Sequence, residues 1–397
     1  MREAGIVIVG GGFGGLAAAK VLDRAGVPYL LVDVRNHHLF QPLLYQVATG
    51  YLEAPAIAHP LRSLLRRGRF LLARVEGVDL EGRRLLLKGG EALSYTYLLV
   101  ATGNRPHDLG VPGVGRHAFF LKSLEDAQRI RRRLLLALEK AAREGRPLRL
   151  LVVGGGPTGV ELAGALAEFL RYALRRDFPE IGGAEVFLLE AGERLLPSFR
   201  PALSAYAQRA LEALGVRVAL GAQVVGVEAL GVRLKEGGFL PADLVLWAVG
   251  VKGTPLPGLP ADPRGRVPTD PYLRLPGHPE VYAIGDVNGL GLPGLAPVAL
   301  QQGRLAAENL LRSLRGQDPI PFRYRDRGQL AVIGRNKAVA EIGRLALVGF
   351  PAWALWAFVH LRELVGFRNR LLVFLEAVVK PLHGQLRGPG QPLHQQA

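Results

Sequence analysis

Two glycine fingerprints constrain this chain more than any other feature. Gly10-Gly11-Gly12-Phe13-Gly14-Gly15 follows the apolar run Ile6-Val7-Ile8-Val9, and Gly154-Gly155-Gly156-Pro157-Thr158-Gly159 follows Leu150-Leu151-Val152-Val153. Each reads GxGxxG at the end of a strand and the start of a helix. The first glycine of each (Gly10, Gly154) permits a tight turn. The second (Gly12, Gly156) lets the backbone approach a pyrophosphate, and the third (Gly15, Gly159) lets helix and strand pack closely. Phosphates then meet a helix N-terminus, where free N–H groups and the dipole favour anions. One such match is weak. Two, each behind a buried-type strand, predict two bound dinucleotides and outweigh the plainer reading of two glycine-rich turns in ordinary α/β units.

Acidic partners support this. Asp33 ends the run Tyr29-Leu30-Leu31-Val32, close to the spacing of roughly 20 residues for a carboxylate on an adenosine ribose. Glu190 ends Val186-Phe187-Leu188-Leu189. Its distance from Gly154 is longer, because the intervening helix, Thr158 to about Arg176, is long and a loop around Pro179 to Gly183 follows.

The chain has 397 residues and no cysteine. That length suits two or three domains. The missing thiols exclude disulfides, thiolate metal sites, iron–sulfur clusters and CxxC redox chemistry. The nine histidines show no HExxH or comparable spacing, so no metal is expected. A net charge of +16 favours anionic partners. The densest basic run, Arg129-Ile130-Arg131-Arg132-Arg133, sits in a helix capped by Ser123 with Asp126 at the capping-box position. It reads as a solvated helix face. With no aromatic-interleaved motif, no nucleic-acid partner is expected. The N-terminal apolar stretch runs into the glycine turn and reads as a strand rather than a signal peptide, which points to the cytosolic compartment.

The plan repeats along the chain. The first fingerprint unit ends with Leu98-Leu99-Val100-Ala101-Thr102-Gly103, where small residues let the chain pass close to a cofactor. The second ends with Leu246-Trp247-Ala248-Val249-Gly250, a mirror of the first. The expected domains are 1–110 and 264–342 as one split unit, 111–263 as a second unit inserted into it, and a tail from 343 to 397. Within 264–342, Val281-Tyr282-Ala283-Ile284-Gly285-Asp286 reads as a buried strand ending in Gly-Asp. Ala296 to about Leu314 reads as a helix with Pro297 in its first turn.

The tail differs in character. Leu345 to Val359 carries no charge and includes Phe350, Trp353, Trp356 and Phe358. It is shorter than the roughly 20 residues that span a bilayer. Beyond His360, Leu361, Leu364, Val365, Leu372, Leu375 and Val379 fall near helical spacing, with Arg362, Arg368, Arg370 and Lys380 as basic positions. Tryptophans beside cations suit a headgroup interface. That reading is favoured over a dimerisation surface or a buried hairpin.

Taken together, the chain resembles the type II NADH:quinone oxidoreductases, single-subunit respiratory dehydrogenases that do not pump protons. The resemblance rests on Gln41-Pro42-Leu43-Leu44-Tyr45-Gln46-Val47-Ala48-Thr49-Gly50, on Gly154 to Gly164 with Val160-Glu161-Leu162-Ala163, on Ala283-Ile284-Gly285-Asp286, and on Ala296 to Gly303. It implies an α/β fold of two Rossmann-like dinucleotide-binding domains, an FAD domain with an inserted NADH domain, plus a C-terminal amphipathic helical segment for membrane association. Non-covalent FAD would lie on Gly10, Gly12, Gly15 and Asp33, past Ala101, Thr102 and Gly103, with Gly285 and Asp286 at its ribityl or phosphate region. NADH would lie on Gly154, Gly156, Gly159, Glu190 and Gly250. Glu190 would repel a 2′-phosphate and favour NADH over NADPH, while Arg194 nearby opposes that.

The family carries an AQxxxQ motif at the quinone site. Here Pro297 replaces its first glutamine and Gln301 keeps the second. The segment also resembles one whose backbone meets a flavin, which assigns the donor to Val298 N–H. Glu161 matches a family glutamate set between nicotinamide, flavin and quinone, and so would relay a proton. The implied partners are NADH, a menaquinone or ubiquinone, and an anionic membrane surface, with a homodimer left open. The implied location is peripheral, on the cytoplasmic face of the cell membrane. A soluble ferredoxin or rubredoxin reductase is the competing enzyme reading and would not need the aromatic tail. A slow-turnover flavin redox sensor is the competing non-enzyme reading. A sulfide:quinone oxidoreductase is disfavoured by the absence of cysteine.

Overall fold

The structure, a computed structural model, describes residues 2–364 and 373. Its contacts divide the chain into two compact units. The first comprises 1–39, 58–105 and 251–326, and the second 40–57, 106–250 and 327–397. The changeovers fall after Arg105, Gly250 and Asp326, where the sequence suggested 110, 263 and 342. The physical reasons are local. Thr254 already bonds to the 102–103 turn of the first unit, its hydroxyl donating to Thr102 O and Gly103 O at 2.9 Å each. At the other end, strand Gln329–Gly334 pairs with Lys337–Ile342. The short segment 40–57 was not expected in the second unit. It joins it because helix Leu44–Ala48 packs on helices Leu124–Glu144 and Pro157–Arg176.

In the first unit the central strands run parallel in the order His278–Ala283, Ala92–Val100, Arg2–Val9, Tyr29–Asp33, Gly68–Leu72. Strands Val75–Asp79 and Arg84–Leu87 extend Ala92–Val100 antiparallel. Side chains alternate across the pleat. Ile6, Ile8, Leu31, Leu99 and Tyr282 enter one buried cluster, together with Leu16, Leu22 and Leu310 from the helices. Val7, Val9, Val32, Leu98, Val100 and Val281 enter the other. A sheet buried on both faces explains why these strands read as continuous apolar runs. Helices Phe13–Ala25 and Ala296–Leu314 press together through glycine: a Cβ on Gly303 would lie 2.1 Å from Gly14 O.

The second unit repeats the parallel plan in the order Ala118–Phe120, Leu244–Trp247, Leu148–Val153, Ala184–Leu189, Val216–Ala219. Ser123 closes the expected capping box on helix Leu124–Glu144: its Oγ accepts from Asp126 N at 3.1 Å, and its N–H donates to Asp126 Oδ2 at 2.9 Å. Arg129, Arg132 and Arg133 are exposed on that helix, as expected of a solvated face, but Arg131 is buried. It turns inward beside the left-handed Gly50 and pairs with Glu53 at 3.6 Å, a partner from the segment 40–57 that packs on this helix.

The uncharged tail segment is two elements rather than one. Leu345–Val348 is the third strand of an antiparallel sheet with Gln329–Gly334 and Lys337–Ile342, and Gly349–Glu363 is a helix. The sheet reaches helix Pro157–Arg176 at Gly164, where any Cβ would sit 1.7 Å from Ile333 O. Among the described residues no helix is long and apolar enough to cross a membrane. Val365, Arg368, Arg370, Leu372, Leu375, Val379 and Lys380, expected in the amphipathic stretch, lie outside the described residues.

Candidate active site

The two fingerprints fold into the same local machine. Gly10 N–H donates to Val32 O at 2.8 Å, and Gly154 N–H to Leu189 O at 2.7 Å. Ala101 N–H donates to Val9 O and Ala248 N–H to Val153 O, both at 2.8 Å. A Cβ on Gly10 would strike Ala101 O at 2.3 Å, and one on Gly154 would strike Val249 Cγ2 at 2.5 Å. Gly15 and Gly159 sit under the same constraint, each with a Cβ position within 2 Å of its own loop's first carbonyl (1.9 Å from Gly10 O, 1.8 Å from Gly154 O). Gly12 and Gly156 differ, with nothing within 4 Å of a built Cβ. Tight glycines thus hold the turn, and the middle glycine of each loop faces open space at a helix N-terminus. That is the cradle a dinucleotide pyrophosphate requires.

The acidic residues also match. Asp33 Oδ2 accepts from Gly11 N at 2.6 Å, and Glu190 Oε2 accepts from Gly155 N at 2.5 Å. Asp33 Oδ1 takes Arg35 N at 2.8 Å, and Glu190 Oε1 takes Gly192 N at 2.7 Å. A carboxylate has about four lone-pair sites, so each keeps acceptor capacity for ribose hydroxyls. Arg194 donates to Pro197 O at 2.7 Å and Phe199 O at 3.1 Å, which ties its guanidinium to its own loop.

Other expected residues take structural partners. Thr102 Oγ1 donates to Thr254 O at 2.7 Å, Gly103 holds a left-handed φ of 72°, and Gly250 one of 77°. Gly285 N–H donates to Gln302 Oε1 at 2.7 Å, and Asp286 Oδ2 accepts from Asn104 Nδ2 at 2.6 Å. Val298 N–H, assigned to the flavin, donates to Leu295 O at 3.1 Å in the first turn of its helix. The Gln301 amide is clamped at both ends to the Arg325 backbone, at 2.9 and 3.0 Å. Three residues of this neighbourhood went unread in the sequence. Gln302 and Asn288 are buried and bonded to each other at 3.0 Å. His38 is buried with Nδ1 3.0 Å from Gly11 O, and burial lowers its pKa to about 4, so the ring is neutral at pH 7.

Within the second unit a cavity of about 360 Å³ opens between helix Pro157–Arg176, the segment 43–51, strand Gln329–Gly334 and helix Gly349–Glu363. Its walls are mainly apolar, with Trp353, Trp356 and Ala357 on the last helix. Glu161 faces it and takes a long bond, 3.4 Å, from Val332 N–H. Burial raises the Glu161 pKa to about 8 against the small opposing effect of that bond. Tyr45 and Gln46 lie in the same wall. Gln46 Nε2 donates to the Tyr45 hydroxyl at 2.9 Å, and burial pushes that hydroxyl's pKa well above its ordinary value. Gln46 is 8% exposed, and its Oε1 has no hydrogen-bond partner among the described residues. A buried acceptor left unpaired costs about 1–3 kcal/mol. Across the cavity His360 Nδ1 lies 2.8 Å from Trp356 O, and burial lowers its pKa to about 4. The sequence pointed to Glu161 but not to this cavity or to Glu168, which lies two turns further along the same helix face. The i,i+7 spacing was the available signal.

Two paired carboxylates, two glycine cradles and two parallel sheets define a flavoprotein of the two-dinucleotide class. A family profile described as "Pyridine nucleotide-disulphide oxidoreductase" matches residues 4–303, and one described as "NDH2 C-terminal domain" matches 327–385. The chain is 37% identical over 410 residues to the type II NADH:quinone oxidoreductase Ndh of Mycobacterium tuberculosis, covering 95% of this chain and 88% of that protein. It is 39% identical over 397 residues to NdhA of the same organism, covering 92% and 84%. The structure of Plasmodium falciparum NDH2 in complex with NADH superposes with a TM-score of 0.89 at 22% identity, over 96% of this chain and 99% of that one. The chain belongs to the type II NADH:quinone oxidoreductase family. The disulphide in the broader class name has no counterpart here, because there is no cysteine.

Proposed function

We propose that the second-unit cavity takes the quinone ring and that Glu161 supplies it with a proton. The enzyme is an NADH-dependent flavoprotein quinone reductase. When bound, FAD supplies two-electron chemistry between nicotinamide and quinone. Gly10, Gly12, Gly15 and Asp33 hold the FAD, and Gly154, Gly156, Gly159 and Glu190 hold the NADH. The observation that carries the quinone assignment is a protonatable carboxyl and a buried amide oxygen, unpaired among the described residues, in one apolar cavity. The Gln46 amide can accept from a quinol hydroxyl. Rotated, it takes the Tyr45 hydroxyl as donor and offers N–H to a quinone carbonyl.

Tryptophan fluorescence tests this without turnover. Of the three tryptophans, Trp353 and Trp356 line the cavity and Trp247 does not. A short-chain quinone should quench the wild-type emission saturably. The Trp353→Phe/Trp356→Phe variant, left with Trp247, should lose that saturable component. Equal saturable quenching in both proteins would place the quinone elsewhere.

The same part of the second unit exposes Leu345, Val348, Phe350 and Phe358. Exposed aromatics on a strongly basic protein suit peripheral docking on an anionic membrane, and we assign the cytoplasmic face. Phe350→Ser/Phe358→Ser should weaken co-sedimentation with anionic vesicles by about tenfold, roughly 1.4 kcal/mol. Unchanged vesicle binding would overturn the assignment, as would a stable dimer in solution that ignores vesicles.

A further inference from the structure

We infer that Glu168, held by Tyr51, reloads Glu161 with protons from the solvent side of the cavity. This rests on the quinone reading above. The balance of the reaction requires such a route: NADH + H⁺ + quinone gives NAD⁺ + quinol. The hydride carries two electrons and one proton, so one further proton enters from water in every turnover. Glu161 is half-buried in the wall, where among the described residues its hydrogen-bond donor is the Val332 N–H.

Glu168 shares that wall, seven positions along the same helix, a rise of about 10 Å. Its Oε2 accepts from the Tyr51 hydroxyl at 3.3 Å, and its Oε1 from Arg335 N–H at 2.6 Å. Arg335 is exposed, which marks the watered end. The Tyr45 hydroxyl feels both carboxyls, so it lies within electrostatic reach of each.

Among the described residues, the charged and titratable groups around Glu168 come from three elements, and His360 on helix Gly349–Glu363 lines the same cavity. Arg171 and Tyr172 are on its own helix, Tyr51 and Tyr45 on the segment 43–51, and Arg335 and Lys337 at the sheet turn. Burial raises the Glu168 pKa, and the bonds from Arg335 and Tyr51 together with the two cations hold that rise in check. A carboxyl poised in this way exchanges protons with water more readily than Glu161 does. The step is proton transfer only: Glu168 passes a proton to Glu161 along water entering the cavity and regains one from solvent at the Arg335 end.

The test uses the FAD-loaded full chain. Flavin absorbance, quinol formation and proton uptake by a pH-indicator dye are followed in single turnovers from about pH 6 to about pH 9. Flavin bleaching by NADH certifies each variant as folded and loaded. In Glu168→Gln, quinol formation and proton uptake should slow together, on the order of tenfold at the alkaline end and less at the acid end, where hydronium is abundant. Tyr51→Phe keeps the ring and should slow both about threefold in the same pH direction. A wild-type pH profile and uptake rate in Glu168→Gln, with Glu161→Gln still impaired, would overturn this inference and leave the quinone site standing. Wild-type behaviour in Glu161→Gln would overturn both.

Discussion

Glu161→Gln should cut quinone reduction by on the order of 100-fold while NADH still bleaches the flavin. Loss of a positioned general acid typically costs 10²–10⁴. Glutamine keeps the size and the bond from Val332 N–H but cannot give up a proton. The wild-type rate should fall as pH rises through about 8, where burial has placed the Glu161 pKa. That limb should be missing from the variant. Steady-state quinone reduction against pH, with stopped-flow flavin reduction alongside, checks both halves.

The same shift makes a stability statement. The folded pKa of Glu161 is raised above the unfolded value of 4.5. Between the two values the folded state binds the extra proton, so stability falls as pH rises. The contribution is fully present below about 4.5 and is lost as pH climbs through about 8. Glu161→Gln removes that dependence, so the variant should gain thermal stability relative to wild type on the alkaline side and little on the acid side. A melting-temperature difference independent of pH would mean that the folded protein does not raise the Glu161 pKa.

Much of this architecture was legible because its causes are local. The helix from Ala296 to Leu314 was readable from Pro297 in its first turn, and the capping box from Ser123 and Asp126. The two cradles were readable because a backbone-to-phosphate approach demands glycine at fixed offsets. What stayed hidden depends on contacts distant in sequence. Tyr51 and Glu168 meet across 117 positions. Arg131 reads as one more solvated cation in the sequence, but it is buried and pairs with Glu53, which is distant in the chain. Leu345–Val348 carries no charge and no alternation, so periodicity could not separate a strand from the helix that follows. Gln301 was read from a motif. Its clamp on the Arg325 backbone comes from a segment that no motif describes.

NADH should be used over NADPH by on the order of 100-fold in kcat/KM, about 2.7 kcal/mol. The argument is geometric as well as electrostatic. Glu190 is fixed by two main-chain donors, Gly155 N–H and Gly192 N–H, so it cannot swing away from a 2′-phosphate. The cation four residues beyond Glu190 is Arg194, whose guanidinium is tied to Pro197 O and Phe199 O. Glu190→Gln removes the negative charge but keeps one acceptor for the loop. It should weaken NADH use and improve NADPH use, bringing the ratio under about tenfold. Arg194→Ala should then leave the nucleotide ratio nearly unchanged, since its cation is already committed to its own loop. Equal kcat/KM for the two nucleotides in wild type would show that Glu190 does not meet the ribose. A ratio that collapses only in Arg194→Ala would move the discrimination to that residue.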